Sequence, residues 1–168
     1  MQRKLEISGK EKPYLMAHRG NRVLCPENTL ASFKQAIWDG ADILETDLHL
    51  SKDEQFVCIH DATLDRTTDS SGAIADLTVA EIKKVCASNH MPGFEKERVP
   101  LLSEVATILP PNVALALELK TDRFLEDKVC EMLWKELQEY GISNRSLVLS
   151  FSAERVLCVK KISNAIPI

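Results

Sequence analysis

The stretch ADILETDLHL, residues 41–50, decides the fold. Alternate side chains of an extended chain share a face, so Leu44 and Leu48 lie on one side and require burial, while Glu45 and Asp47 lie on the other with Ile43 beneath them. A Glu-x-Asp pair on a solvated strand would be unremarkable, but this segment is too apolar to be solvated, so its acidic face turns inward as well. Upstream, residues 14–18 form a short apolar run, and Leu30, Phe33, Ile37 and Trp38 recur at helical spacing, with Asn28 or Thr29 as the N-cap and Gly40 as the stop. Downstream, the turn-rich Ser51-Lys52-Asp53-Glu54 leads straight into another apolar run at 56–60, with no helix between.

The later chain resumes a regular alternation. Residues 113–120 predict a strand, 125–140 a helix with Leu125, Val129, Met132, Leu133 and Leu137 on its apolar face, and Gly141 its end. A strand at 147–151 and a helix from Ala153 to about Ile162 follow, and a further strand would begin at 165–168. Residues 61–100 are a long excursion rich in Thr, Asp, Ser and Gly, containing one short helix opened by a Thr78–Glu81 capping box. Strands alternating with helices predict an α/β architecture built on a parallel sheet, in a single domain spanning 1–168.

Composition removes several function classes. The 168 residues are 45% hydrophobic and 27% charged with a net charge of −4, so no broad basic surface exists for sequence-independent capture of nucleic acid. Five cysteines, Cys25, Cys58, Cys86, Cys130 and Cys158, are odd in number and widely spaced, which fits reduced thiols and an expected cytoplasmic location. No apolar run is long enough to span a bilayer, and the N-terminus lacks the core of a signal peptide.

In a parallel αβ barrel the C-terminal ends of the strands open on one face. His18, Glu45, Asp47, His60, Glu118 and Lys120 all stand at or near such ends, and the small Ala114 and Ala116 lie beneath Glu118. Taken singly, each has a bland explanation: a surface ion pair for Glu118 and Lys120, a structural hydrogen bond for a histidine. Their joint placement is hard to obtain by chance. Three converging carboxylates raise one another's pKa unless a cation neutralises them, and an all-oxygen donor set favours a hard ion, Mg2+ or Ca2+.

The ordered set His18-Arg19-Gly20, Pro26-Glu27-Asn28-Thr29, Glu45-Thr46-Asp47, His60-Asp61, Leu64-Asp65-Arg66-Thr67-Thr68, Pro100-Leu101-Leu102, Glu118-Leu119-Lys120 and Ser150-Phe151-Ser152 resembles the glycerophosphodiester phosphodiesterase family. The resemblance implies a (β/α)8 barrel with an insertion after the third strand, here 61–100. It implies metal-dependent hydrolysis of small glycerophosphodiesters, such as glycerophosphocholine or glycerophosphoethanolamine, to glycerol phosphate and an alcohol. It also implies Glu45, Asp47 and Glu118 as ligands of one divalent cation, His18 and His60 as general base and acid, and Arg19 and Lys120 on the phosphate. Glu27 falls where the family has a further ligand or orienting group, and Asn28 where a side chain opens the following helix. Asp61 and Arg66 are expected to shape their loop.

A full barrel takes about 250 residues, so these 168 would supply about five strands of eight. Tyr14, Met16, Ile43, Phe56 and Leu149 are the expected inward-facing apolar residues, and open sheet edges predict self-association. Two other functions stay open: a catalytically silent binding module, and a phospholipase barrel of the sphingomyelinase D type. The 61–100 excursion and Glu118-Leu119-Lys120 favour the glycerophosphodiesterase reading.

Overall fold

In the computed structural model, which describes residues 4–163 and 166–167, residues 43–50 form β2, an eight-residue strand (Ile43–Leu50) buried along its whole length. Its neighbours are β1 (Met16–His18) on one side and β4 (Ala114–Leu119) on the other, both parallel to it, and β5 (Ser146–Leu149) runs parallel beyond β4. Helices α1 (Leu30–Trp38), α3 (Leu102–Ile108), α4 (Asp127–Glu139) and α5 (Ala153–Ile162) accompany these strands, and the short α2 (Val79–Ile82) lies in the 61–100 segment. This is the expected α/β arrangement, part of a barrel wall.

β3 (Phe56–Cys58) departs from the expected stave. It pairs antiparallel with the C-terminal half of β2, Leu48 opposite Cys58 and Leu50 opposite Phe56, and lies off the parallel path β1-β2-β4-β5. The physical reason is the length of the connection: a parallel partner needs a crossover of a dozen residues or more, and the 51–55 turn allows only a hairpin. Four strands, not five, therefore form the parallel wall among the described residues. Phe56 consequently points away from the barrel interior and stacks on Phe124 with ring centroids 5.8 Å apart.

The main core fills the layer between sheet and helices, where Phe33, Leu44, Leu48, Leu115, Leu117, Leu119, Phe124 and Leu133 are fully buried. The opposite face of the sheet has a smaller cluster of Ile43, Ala114 and Ala116 with Tyr14 and Leu149, covered from below by Ile7 of the N-terminal segment. Its small alanines leave room for the polar groups above them. A third cluster, Val57, Ile59, Leu64, Ile74, Ile82 and Val99, gives the 61–100 segment its own packing against β3.

Thr29, not Asn28, caps α1: its hydroxyl accepts from Ser32 N–H at 3.2 Å and its own N–H donates to Ser32 Oγ. The capping box of Thr78 and Glu81 forms as expected. α3 was not anticipated. Of the 165–168 segment, Ile166 is buried and Pro167 O accepts from Val148 N–H, while 165 and 168 lie outside the described residues.

Candidate metal and phosphate site

Parallel register builds the site in rows. His18 is opposite Glu45, which is opposite Ala116; one step higher, Asp47 is opposite Glu118, which is opposite Leu149. Glu45, Asp47 and Glu118 each offer a carboxylate oxygen, and the three oxygens lie within 4.8 Å of one another. All three residues are buried.

The loop after β1 folds back onto β2. Arg19 adopts a left-handed backbone (φ 58°), so that its N–H donates to both the carbonyl of Glu45 at 3.1 Å and its carboxylate at 2.9 Å. Gly20 follows with φ 77°, and a Cβ there would stand 2.7 Å from the Ser32 backbone, so only glycine lets this turn pack on α1. Arg19 then points its guanidinium inward, Nε 3.2 Å from Asp47 Oδ2 and Nη1 3.2 Å from Glu27 Oε1. From β4, Lys120 places its ammonium 3.2 Å from Asp47 Oδ1 and 2.8 Å from Glu118 Oε1.

Charge is unevenly compensated across the cluster. Burial, together with the charges of Asp47 and Glu118, pushes the Glu45 carboxyl up to about 7 despite the Arg19 N–H. Asp47 goes the other way: burial opposes ionisation, but the Asn28 amide and the Lys120 and Arg19 charges hold it below the usual carboxylate range. His18, half-exposed with Nε2 3.9 Å from Glu45 Oε2, is lowered by burial and by Arg19 and Arg22.

A divalent cation fits these residues. Asp47 Oδ1 is buried and accepts no hydrogen bond, its contact with Lys120 being an ion pair without hydrogen-bond alignment. Even with Lys120 and Arg19 beside it, this all-oxygen triad keeps one unsatisfied buried acceptor and one carboxyl pushed up to about 7, the donor set a hard divalent cation would complete.

Asn28 is not the helix cap but a support for Asp47. With φ 52° it turns its amide inward, donating to Asp47 Oδ2 at 2.8 Å and accepting from Thr46 Oγ1 at 2.8 Å. Glu27 stands outside the carboxylate triad, held between Arg19 and Arg66, and those partners keep it ionised against the opposing effect of burial.

A cavity of about 400 Å³ opens over Glu45 and Glu118, lined also by Met16, His18, Leu149, Ser150 and Phe151, with Asp47 buried behind them. His60 is not in that wall. It arrives from the loop after β3, whose antiparallel return carries Ile59 back to donate to Asp47 O at 3.0 Å, and it lines a small cleft with Glu27 and Asn28. Sequence reasoning missed His49, which shares the face of Glu45 and Asp47 two residues on. Its Nε2 meets His60 O at 3.2 Å, and the period-two pattern was the signal for it.

Residues 18–168 match the model of the glycerophosphoryl diester phosphodiesterase family. The chain is 39% identical over 154 residues to a glycerophosphodiester phosphodiesterase of Caldanaerobacter subterraneus, covering 90% of this chain and 63% of that protein. It is 36% identical to human glycerophosphodiester phosphodiesterase 1, covering 88% of this chain and 45% of that one. In three dimensions it resembles an Oleispira antarctica phosphodiesterase in complex with the product sn-glycerol-3-phosphate, with TM-score 0.85 and 32% identity over 92% of this chain and 64% of that one. The Agrobacterium tumefaciens glycerophosphodiester phosphodiesterase gives TM-score 0.82 at 28% identity. The chain thus spans about 63% of the length of the Caldanaerobacter protein. With this fold, this ordered set of polar strand ends and this match over nearly its whole length, the chain belongs to the glycerophosphoryl diester phosphodiesterase family.

Proposed function

We propose that this chain carries the metal and phosphate site of an enzyme that hydrolyses glycerophosphodiesters to glycerol phosphate and an alcohol. The observation that carries the reading is the buried triad Glu45, Asp47 and Glu118 flanked by Arg19 and Lys120 at the mouth of the parallel strands. The product bound to the Oleispira relative is of the same chemical class.

Glu45, Asp47 and Glu118 would hold one Mg2+ or Ca2+, which when bound supplies positive charge to the phosphate oxygens. Arg19 and Lys120 then have a second role: each touches Asp47 and can turn part of its charge to the equatorial oxygens, where negative charge builds during displacement. His18 faces the cavity and His60 sits across the Glu27–Asn28 cleft. One imidazole takes the proton from the attacking hydroxyl and the other gives a proton to the leaving alcohol oxygen. When water attacks, glycerol phosphate forms at once and the rings regain their protonation states by exchange with solvent. When the glycerol 2-hydroxyl attacks, a water opens the resulting cyclic diester with the two imidazoles in exchanged roles. Met16, Leu149 and Phe151 give the cavity an apolar wall against which the carbon skeleton of a small diester would rest.

The test is release of glycerol phosphate from glycerophosphocholine and glycerophosphoethanolamine by the purified chain. Turnover that requires a divalent cation supports the reading, and equal turnover in excess EDTA contradicts it.

A further inference from the structure

Arg66 makes a fork of contacts that loop shaping does not explain. Its Nε donates to Asp61 Oδ2 at 2.6 Å and its Nη2 to Asp61 Oδ1 at 3.2 Å, while Nη2 also reaches Glu27 Oε1 at 2.8 Å. Each acceptor in turn grips a group assigned above to the reaction. Asp61 Oδ1 lies 2.5 Å from His60 Nδ1, and Glu27 Oε1 takes Arg19 Nη1 at 3.2 Å. One guanidinium therefore joins His60 to Arg19, and through Arg19 to Asp47.

The carrier of Arg66 is rigid. Leu64 is fully buried in the cluster of the 61–100 segment, and the turn that follows is locked by Thr68, whose N–H and hydroxyl both donate to Leu64 O. Thr67 O accepts from Asn89 N–H across the same segment. The His60 backbone is pinned separately by His49 on β2. With backbone and turn both held, the remaining freedom of His60 is its ring, and Asp61 governs that.

An isolated surface ion pair contributes little, and Arg66 is 44% exposed. A bidentate fork on one carboxylate with a second, mostly buried carboxylate on the same nitrogen is a different arrangement, because it fixes geometry in addition to adding charge. An ionised carboxylate accepts and cannot donate, so in the neutral His60 ring Asp61 at Nδ1 requires the proton there and leaves Nε2 without one. The Arg66 hydrogen bonds hold the Asp61 carboxyl down at about 2, which keeps it ionised at neutral pH.

We propose that Arg66 is a positioning residue that clamps Asp61 to set the His60 tautomer and clamps Glu27 to aim Arg19 at the phosphate site. The 61–100 segment is thereby wired to the site through Asp61, which holds His60, and Arg66, which holds Asp61 and Glu27. The proposal rests on His60 moving a proton in the reaction, and its test reads the ring directly so that the two can fail separately.

The full 168-residue chain is labelled with ¹⁵N-histidine, the His60 signals are assigned with His60→Gln, and the ring nitrogens are compared in wild type, Arg66→Gln and Asp61→Asn at neutral pH. In wild type, the neutral form of the His60 ring is expected to carry its proton at Nδ1. Arg66→Gln should populate both tautomers while circular dichroism stays native, and Asp61→Asn, which keeps the shape but can donate to Nδ1, should shift the ring towards protonation at Nε2. Where wild type turns over glycerophosphocholine, Arg66→Gln should lower kcat by about 10- to 100-fold, as loss of an orienting partner commonly does. His60 nitrogen shifts that are the same in wild type and a folded Arg66→Gln would overturn the proposal. A wild type without turnover counts against the proposed activity, and the ring signals still decide the role of Arg66.

Discussion

His18 and Glu45 are paired across β1 and β2, with His18 Nε2 3.9 Å from Glu45 Oε2. The register sets this proximity, so the histidine can sense the carboxylate without covering the cavity side of the triad. In an assayable enzyme, His18→Ala and His60→Ala should each lower kcat by about 10²–10⁴-fold. Circular dichroism should stay native, since neither ring is buried in a core cluster. The double variant should lose less than the product of the single losses, because both rings serve one transition state. Near-normal kcat in either single variant would remove that histidine from the mechanism.

The carboxylate triad should bind one divalent cation. Calorimetric titration with Mg2+ and with Ca2+ should show a single site in wild type and none in the Glu45→Gln, Asp47→Asn double variant. Equal binding by both proteins would mean that the buried Asp47 Oδ1 is satisfied some other way.

Glu45 also predicts an unusual pH dependence. Its carboxyl is raised from 4.5 to about 7 in the folded chain, so between these values the folded state holds a proton that the unfolded state has released. The Glu45 contribution to the stability of the metal-free protein should therefore fall as pH rises from 5 to 8, by roughly 3 kcal/mol at most. Glu136, also raised to about 7, adds in the same direction, and His18 and His49, both lowered, add in the opposite one. Asp47, depressed in the folded state, contributes with the opposite sign, and that contribution is lost only in acid below its ordinary range. Urea unfolding of wild type and Glu45→Gln in EDTA at pH 5.5 and pH 8 isolates the Glu45 contribution. Saturating Mg2+ at pH 8 should reverse the loss, and a pH dependence that is the same in wild type and Glu45→Gln would refute the assigned environment of Glu45.

The 168-residue polypeptide on its own should self-associate. β1 is an edge of the sheet among the described residues, with Leu15, Val23 and Leu24 exposed beside it, and Phe151 and Leu157 are exposed near β5 at the other end. Light scattering at rising concentration should show dimers or larger species. A strictly monodisperse monomer over a hundredfold range of concentration would contradict this.

Most of the site was legible because strand periodicity is strict. Once residues 41–50 are a buried strand, Glu45 and Asp47 must share a face, and the same rule joins Glu118 to Lys120. His49 follows from the same rule, two residues beyond Asp47. Two other misses had signals in the sequence. A 51–55 connection is too short for a parallel partner, which fixes the direction of β3 and moves Phe56 to the helix side. Leu102, Val105, Ala106 and Leu109 have the i, i+3, i+4, i+7 spacing of the unanticipated α3. The role of Asn28 was not readable, because an amide at a helix start and an amide supporting a carboxylate look alike until φ is known. The Arg66 fork depends on contacts between residues up to 39 positions apart, which local patterns do not carry.

The proposed activity is hydrolysis of a glycerophosphodiester by the carboxylate triad with Arg19, Lys120, His18 and His60. ³¹P NMR of glycerophosphocholine incubated with the purified protein, supplied in turn with Mg2+, Ca2+ and excess EDTA, tests it in one experiment. The account predicts that the diester resonance gives way to that of glycerol phosphate with a divalent cation, persists in EDTA, and persists with the Glu45→Gln, Asp47→Asn variant under every condition. Hydrolysis that proceeds equally in EDTA, or equally with that variant, would contradict it.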